Sequence, residues 1–164
     1  MNAKIALGAL LMISCTFALA GDEAQSALQE NQPPVFDPAK AERLGADRYG
    51  MKTYVIAFLK KGPNRDQDLE EAAKLQKAHL ENIGRMAGRG LLVLAGPFLD
   101  DREIRGIYIF NVETVEEAEA LTETDPAIKA GRLVMELRPW YGTAALMEIN
   151  RIHKTLEEKS VTDD

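Results

Sequence analysis

His79 and Asp125 are the two side chains of this sequence whose types and surroundings suggest chemistry. An imidazole can give or take a proton near neutral pH, and a carboxylate beside it orients the ring and raises its basicity. Both residues fall on segments with helical periodicity. In the first, Leu69, Ala72, Ala73, Gln76, Leu80, Ile83 and Ala87 recur at spacings of three and four, and His79 lies about 70° from the centre of that stripe. In the second, Ala118, Leu121, Thr122 and Asp125 share one side. Each residue also has a plainer reading. His79 could be a helix-edge side chain that bonds one backbone carbonyl. Asp125 could be a helix cap, because Asp125-Pro126 followed by Gly131 repeats the form of Asp37-Pro38 followed by Gly45. A carboxylate that points inward is costly unless it is paired. The pattern therefore leaves two outcomes open, a proton-transfer pair or a structural contact.

Little else in the chain competes for a chemical role. His153 is the other of the two histidines and reads as solvated, and the single cysteine is Cys15. The HExxH, GxSxG and GxxxxGK[ST] signatures do not occur, so no protein-held metal and no cofactor is expected. The net charge of -6, with no run of Lys or Arg longer than two, gives no footprint for nucleic acid. Lys60, Lys61, Arg65, Arg102 and Arg105 read as solvated loop charge, with a cationic rim for a small anion as the alternative.

The elements that must position His79 and Asp125 are legible in order. Thr53 to Lys60 is rich in β-branched and aromatic residues and ends at Gly62-Pro63, which predicts a strand. Asp68 with Glu71 predicts a capping box that opens a helix ending near Gly88 to Gly90. Leu91 to Ala95 and Gly106 to Val112 predict two further strands, Thr114 with Glu117 a second capped helix, and Arg132 to Arg138 a last strand. The order βαββαβ defines an α+β, ferredoxin-like fold with a four-stranded antiparallel sheet. Both faces of the first and third strands are apolar, so the face away from the helices needs a cover, and a second copy of the chain is the expected one. Leu146, Ile149, Ile152 and Leu156 predict a terminal amphipathic helix, over the sheet's own edge or over the partner.

The ends carry a different signal. Lys4, the apolar run Ile5 to Ile13 and Ala18-Leu19-Ala20 have the layout of a secretory signal peptide cleaved before Gly21. That predicts export, to the periplasm if the cell is Gram-negative, with no stable membrane span after removal of the leader. Lipidation at Cys15 is the rival reading, and the apolar Phe17-Ala18-Leu19 speaks against it. The expected organisation is a leader over 1–20, a tether and short helical arm over 21–50, the domain over 51–141, and a C-terminal helix and tail over 142–164.

The stretch Tyr54 to Tyr141 resembles the YCII-related (YciI-like) proteins. The resemblance rests on His79-Leu80 in the first helix, the Leu94-Ala95-Gly96-Pro97 turn, Gly106 opening the third strand, and Asp125-Pro126. It implies a dimeric α/β barrel in which His79 and Asp125 form the family's proposed active-site pair. A characterised branch of that family resembles a dehydrochlorinase of chlorinated hydroxyquinols, chemistry that a His/Asp pair could perform. The leader, the arm over 32–50 and the terminal helix depart from the family pattern. The resulting expectation is a cofactor-free lyase or isomerase acting on a small cyclic or aromatic substrate held near Gly96, Pro97 and Trp140. The alternative is a non-catalytic dimeric module that binds a small ligand or serves structure alone, and a cofactor-free monooxygenase is a third possibility.

Overall fold

The first strand, β1 (Met51–Lys61), is the spine of the sheet, because its alternating side chains are apolar on both sides. A computed structural model describes residues 33–161. The leader-like residues, Cys15 and most of the expected tether lie outside the described residues. The chain divides into two units, Met1–Asp37 and Pro38–Asp164. In the first, residues 33–37 are exposed and have no regular secondary structure.

The second unit runs α1 (Pro38–Leu44), β1, α2 (Leu69–Gly88), β2 (Leu92–Pro97), β3 (Ile104–Phe110), α3 (Val115–Thr122), α4 (Pro126–Lys129) and β4 (Leu133–Thr143). A 3₁₀ segment (Ala144–Glu148) and α5 (Ile149–His153) follow. The four strands pair antiparallel in the order β2-β3-β1-β4. This is the ferredoxin-like arrangement expected from the element order.

One face of the sheet carries Val55, Ala57, Leu59, Tyr108 and Phe110, packed against Met86 of α2 and Ala118 of α3. The other face carries Tyr54, Val93 and Ile109, and Leu146 and Met147 lie on them. The terminal segment thus covers part of its own sheet, and Asn150 anchors it by donating from Nδ2 to the carbonyl of Leu92 at 2.8 Å. The single helix expected there is not what forms. The segment starts as a 3₁₀ helix, which turns every three residues instead of every 3.6 and so shifts the later side chains out of the predicted stripe. Ile152 and Leu156 end up 46% and 76% exposed.

β4 also departs from expectation, running five residues past Arg138 and through Pro139. Proline has no N–H for a ladder, but β4 is an edge strand and loses nothing on its open side. Side-chain contacts fasten the arm. Arg43 pairs with Glu148 at 2.8 Å, and the Tyr141 hydroxyl donates to Asp47. Hydrogen bonds from Arg43 and Arg151 pull the Glu148 carboxyl down to about 2.

Gly106 has no room for a side chain, since a Cβ there would stand 2.6 Å from the carbonyl oxygen of Gly96. The Gly96-Pro97 end of β2 is held against β3 by that close approach. Gly106→Ala is therefore expected to destabilise the fold by about 2 kcal/mol, as overpacking against backbone does, measured as a lowered midpoint of urea unfolding.

Candidate functional site

Three helices and one strand assemble the site. α2 opens on Asp68, whose side chain accepts from the Glu71 backbone N–H at 2.8 Å. Along its length His79, Asn82 and Met86 are the buried residues. The inward face is rotated from the apolar stripe read in the sequence: Leu69, Ala73 and Gln76 are exposed, and polar His79 and Asn82 lie at its centre. α3 opens on the expected Thr114–Glu117 capping box and buries Ala118 and Thr122. Its stripe continues to Asp125, which begins α4 with Pro126 in the first helical turn.

Asp125 performs both of the tasks that its sequence context allowed. Its Oδ1 accepts from the Ala127 backbone N–H at 2.9 Å, which caps α4. Its Oδ2 lies 2.7 Å from His79 Nδ1. The carboxylate is fully buried and the imidazole only 8% exposed. A buried ionised carboxylate accepts on both oxygens, and each bond offsets part of the lost hydration.

Tyr108, on the helix-facing side of β3, completes the contact set. Its hydroxyl stands 3.2 Å from His79 Nε2, and the two rings stack with centroids 6.1 Å apart at 22°. Phe110 meets the Tyr108 ring edge-on at 5.7 Å. Burial first, and the negative charge of Asp125 second, push the Tyr108 phenol far above its ordinary range. One helical turn from His79, Asn82 accepts on Oδ1 from Arg85 at 2.7 Å and Thr124 at 3.1 Å. Its Nδ2 is buried without a hydrogen-bond partner among the described residues.

The other expected site residues are not brought to the pair as a group. Gly96 and Pro97 lie on β2, against Gly106. Trp140 pairs across from Tyr54 and its ring lies 5.9 Å from that tyrosine, on the opposite face of the sheet from His79 and Asp125. Strand alternation decides this, because Tyr54 and Ala57 are an odd number of residues apart and so face opposite ways. His153 is exposed, 3.4 Å from Glu157.

The cations expected in loops have protein partners, and Lys60, Lys61 and Arg105 lie on strands β1 and β3. Asp101 meets Lys61 at 3.1 Å and Arg105 at 2.9 Å, Asp100 meets Arg102 at 3.3 Å, Arg65 donates to the Arg132 carbonyl, and Lys60 pairs with Glu136. Among the described residues no group of three or more His, Cys, Asp or Glu could hold a metal ion. Among the same residues no helix is long and apolar enough to cross a membrane.

Tyr108, Asn82 and Thr124 escaped the sequence reading. The one available signal for Asn82 was its spacing of three from His79, which puts both on one helix side.

Residues 55–141 match the YCII-related domain, and the chain belongs to that family. Among solved structures it is similar to 5-chloro-2-hydroxyhydroquinone dehydrochlorinase (TftG) from Burkholderia phenoliruptrix AC1100, in complex with 2,5-dihydroxybenzoquinone. The two share 23% identity over 52% of this chain and 92% of that one, with a TM-score of 0.40. No curated protein matches the chain.

Because Asp125 both caps and pairs, its two roles should separate by substitution. Asp125→Ala is expected to destabilise the protein by about 3 kcal/mol, from a lost cap and a stranded histidine. Asp125→Asn, which keeps an oxygen for the Ala127 N–H, should lose markedly less. Paired urea melts of the two variants make the comparison.

Proposed function

We propose that this protein is a cofactor-free enzyme of lyase or isomerase type, in which His79 moves a proton and Asp125 orients it. The observation that carries the reading is the 2.7 Å contact between a nearly buried imidazole and a fully buried carboxylate. In such a pair the ring can take a proton while the carboxylate holds it in one orientation. A small cyclic or aromatic substrate is the class that the family resemblance implies. The leader-like residues 1–20 support export as part of the same proposal.

The test needs no known product. Candidate cyclic and aromatic carbon acids are incubated with the protein in D₂O, and loss of their C–H signals is followed by NMR. Exchange catalysed by the wild type should fall at least about a hundredfold in His79→Ala and His79→Asn, the usual weight of one general base. Undiminished exchange in those variants would remove His79 from the mechanism.

A second reading has its own observation. Both ring nitrogens of His79 are engaged within the protein. Moreover, a hollow of about 310 Å³ lined by Phe58, Lys60, Ile104, Glu136 and Arg138, and another of about 240 Å³ beside Asp47 and Tyr141, do not include the pair. On this reading the protein is a non-catalytic binding or structural module. His79→Ala then lowers the melting temperature, and there is no exchange rate to lose.

The assembly belongs to the proposal as well. The face that the terminal segment leaves open carries half-buried Ile56, Phe58 and Ile107 and partly exposed Val134 and Trp140. An apolar patch of that kind supports a second copy packed sheet to sheet. In sedimentation equilibrium the wild type should run as a dimer and Phe58→Asp as a folded monomer. A monomeric wild type would end this part of the proposal.

A further inference from the structure

We propose that Tyr108 is a positioning residue: its hydroxyl donates to His79 Nε2, so that the ring rests with its proton on Nδ1 and its basic nitrogen covered from inside the protein. Only the functional consequence of this rests on the proton-transfer reading above. The tautomer itself follows from the contacts.

The carboxylate settles the first nitrogen. Asp125 Oδ2, 2.7 Å from Nδ1, can only accept, so a hydrogen must sit on Nδ1. The opposite tautomer would aim the Nδ1 lone pair at a carboxylate oxygen, which is repulsive at that distance. A neutral ring then has its remaining lone pair on Nε2, facing the Tyr108 hydroxyl at 3.2 Å. That hydroxyl keeps its proton, since burial and the charge of Asp125 both oppose a phenolate. The tyrosine cannot readily withdraw. β3 pairs it with Ala57 on one side and Ala95 on the other, and it is 2% exposed.

Asp125 and Tyr108 therefore grip the ring from opposite ends and fix its plane. A molecule that uses the base must take the place of the phenol hydrogen at Nε2. This predicts a resting site that is closed and that reacts slowly with small reagents.

The experiment uses the ¹⁵N-labelled full chain. Long-range ¹H–¹⁵N spectra of the wild type should show His79 protonated at Nδ1 with an unprotonated, hydrogen-bonded Nε2. In Tyr108→Phe the Nε2 resonance should move downfield while Nδ1 keeps its proton. Diethyl pyrocarbonate should modify His79 about fivefold faster in that variant, the weight of one neutral hydrogen bond expressed as a rate. Exposed His153 is the internal control and should keep its rate. An Nε2–H pattern for His79 in the wild type overturns the proposal whatever the variant does, so it stays testable if Tyr108→Phe fails to fold. An unchanged Nε2 resonance and modification rate in a folded Tyr108→Phe overturns it too. Full proton exchange by His79→Ala would instead sink the proposed function and leave the tautomer assignment standing.

Discussion

Asp125 is a carboxylate with no access to water, and the surrounding structure has to replace the hydration it gave up. It does so with the Ala127 backbone N–H and the His79 ring nitrogen Nδ1, on separate oxygens. Neither partner is local to the other. The Ala127 N–H depends on α4 starting at Pro126, and α4 can turn back into β4 because Gly131 adopts a left-handed φ of 68°. The imidazole comes from the middle of α2, 46 residues earlier in the chain. Leaving a buried charge without its partner costs about 3–5 kcal/mol, a large part of the stability of an ordinary small domain. The docking of α2, the start of α4 and the position of β3 are consequently tied to one buried carboxyl group.

The sheet divides the remaining work by face. The helix-facing side buries Val55, Ala57, Leu59 and Phe110 and holds the polar contacts of His79 within that apolar layer. Low polarity around the pair strengthens every hydrogen bond in it, and penalises every polar group left over. Among the described residues the other face has no buried ionic pair. Its apolar residues are closed at one end by Leu146 and Met147, and its other end carries Lys60, Glu136 and Arg138, linked through the Glu136 carboxylate. Hydrogen bonds from Lys60 and then Arg138 hold that carboxylate below its ordinary range. The charges of Lys60, Glu136 and Arg138 thus meet within the chain.

How much of this could be read from the residues depends on which physical signal each part sends. Strands β1 to β3, the Asp68 cap, the Thr114–Glu117 capping box and the α3 stripe ending at Asp125 are set by local chemistry, and local chemistry is visible in sequence, whereas the reciprocal bond from Glu71 expected at Asp68 does not form. The orientation of α2 was not. Its buried face is built round His79 and Asn82, so hydrophobic periodicity pointed to a neighbouring side instead. The length of β4 was hidden because Pro139 looks like a strand end until the strand order makes it an edge. Tyr108 read as one more aromatic in an apolar strand, and only the pairing that sets it opposite Ala57 shows it facing α2. The terminal helix failed for a different reason, since 3₁₀ and α turns accept the same residues over a single turn.

The two contacts of Asp125, cap and partner of His79, support each other. A carboxyl group that only paired with His79 would be free to rotate about its last torsion and present either oxygen. Bonding Oδ1 to the Ala127 N–H removes that freedom and leaves Oδ2 in one place, 2.7 Å from Nδ1. An acceptor fixed in this way needs no reorganisation to hold its partner. The cap therefore does more than end a helix. It converts a flexible acid into a rigid acceptor and, through the ring it holds, sets the direction in which the far nitrogen of His79 faces.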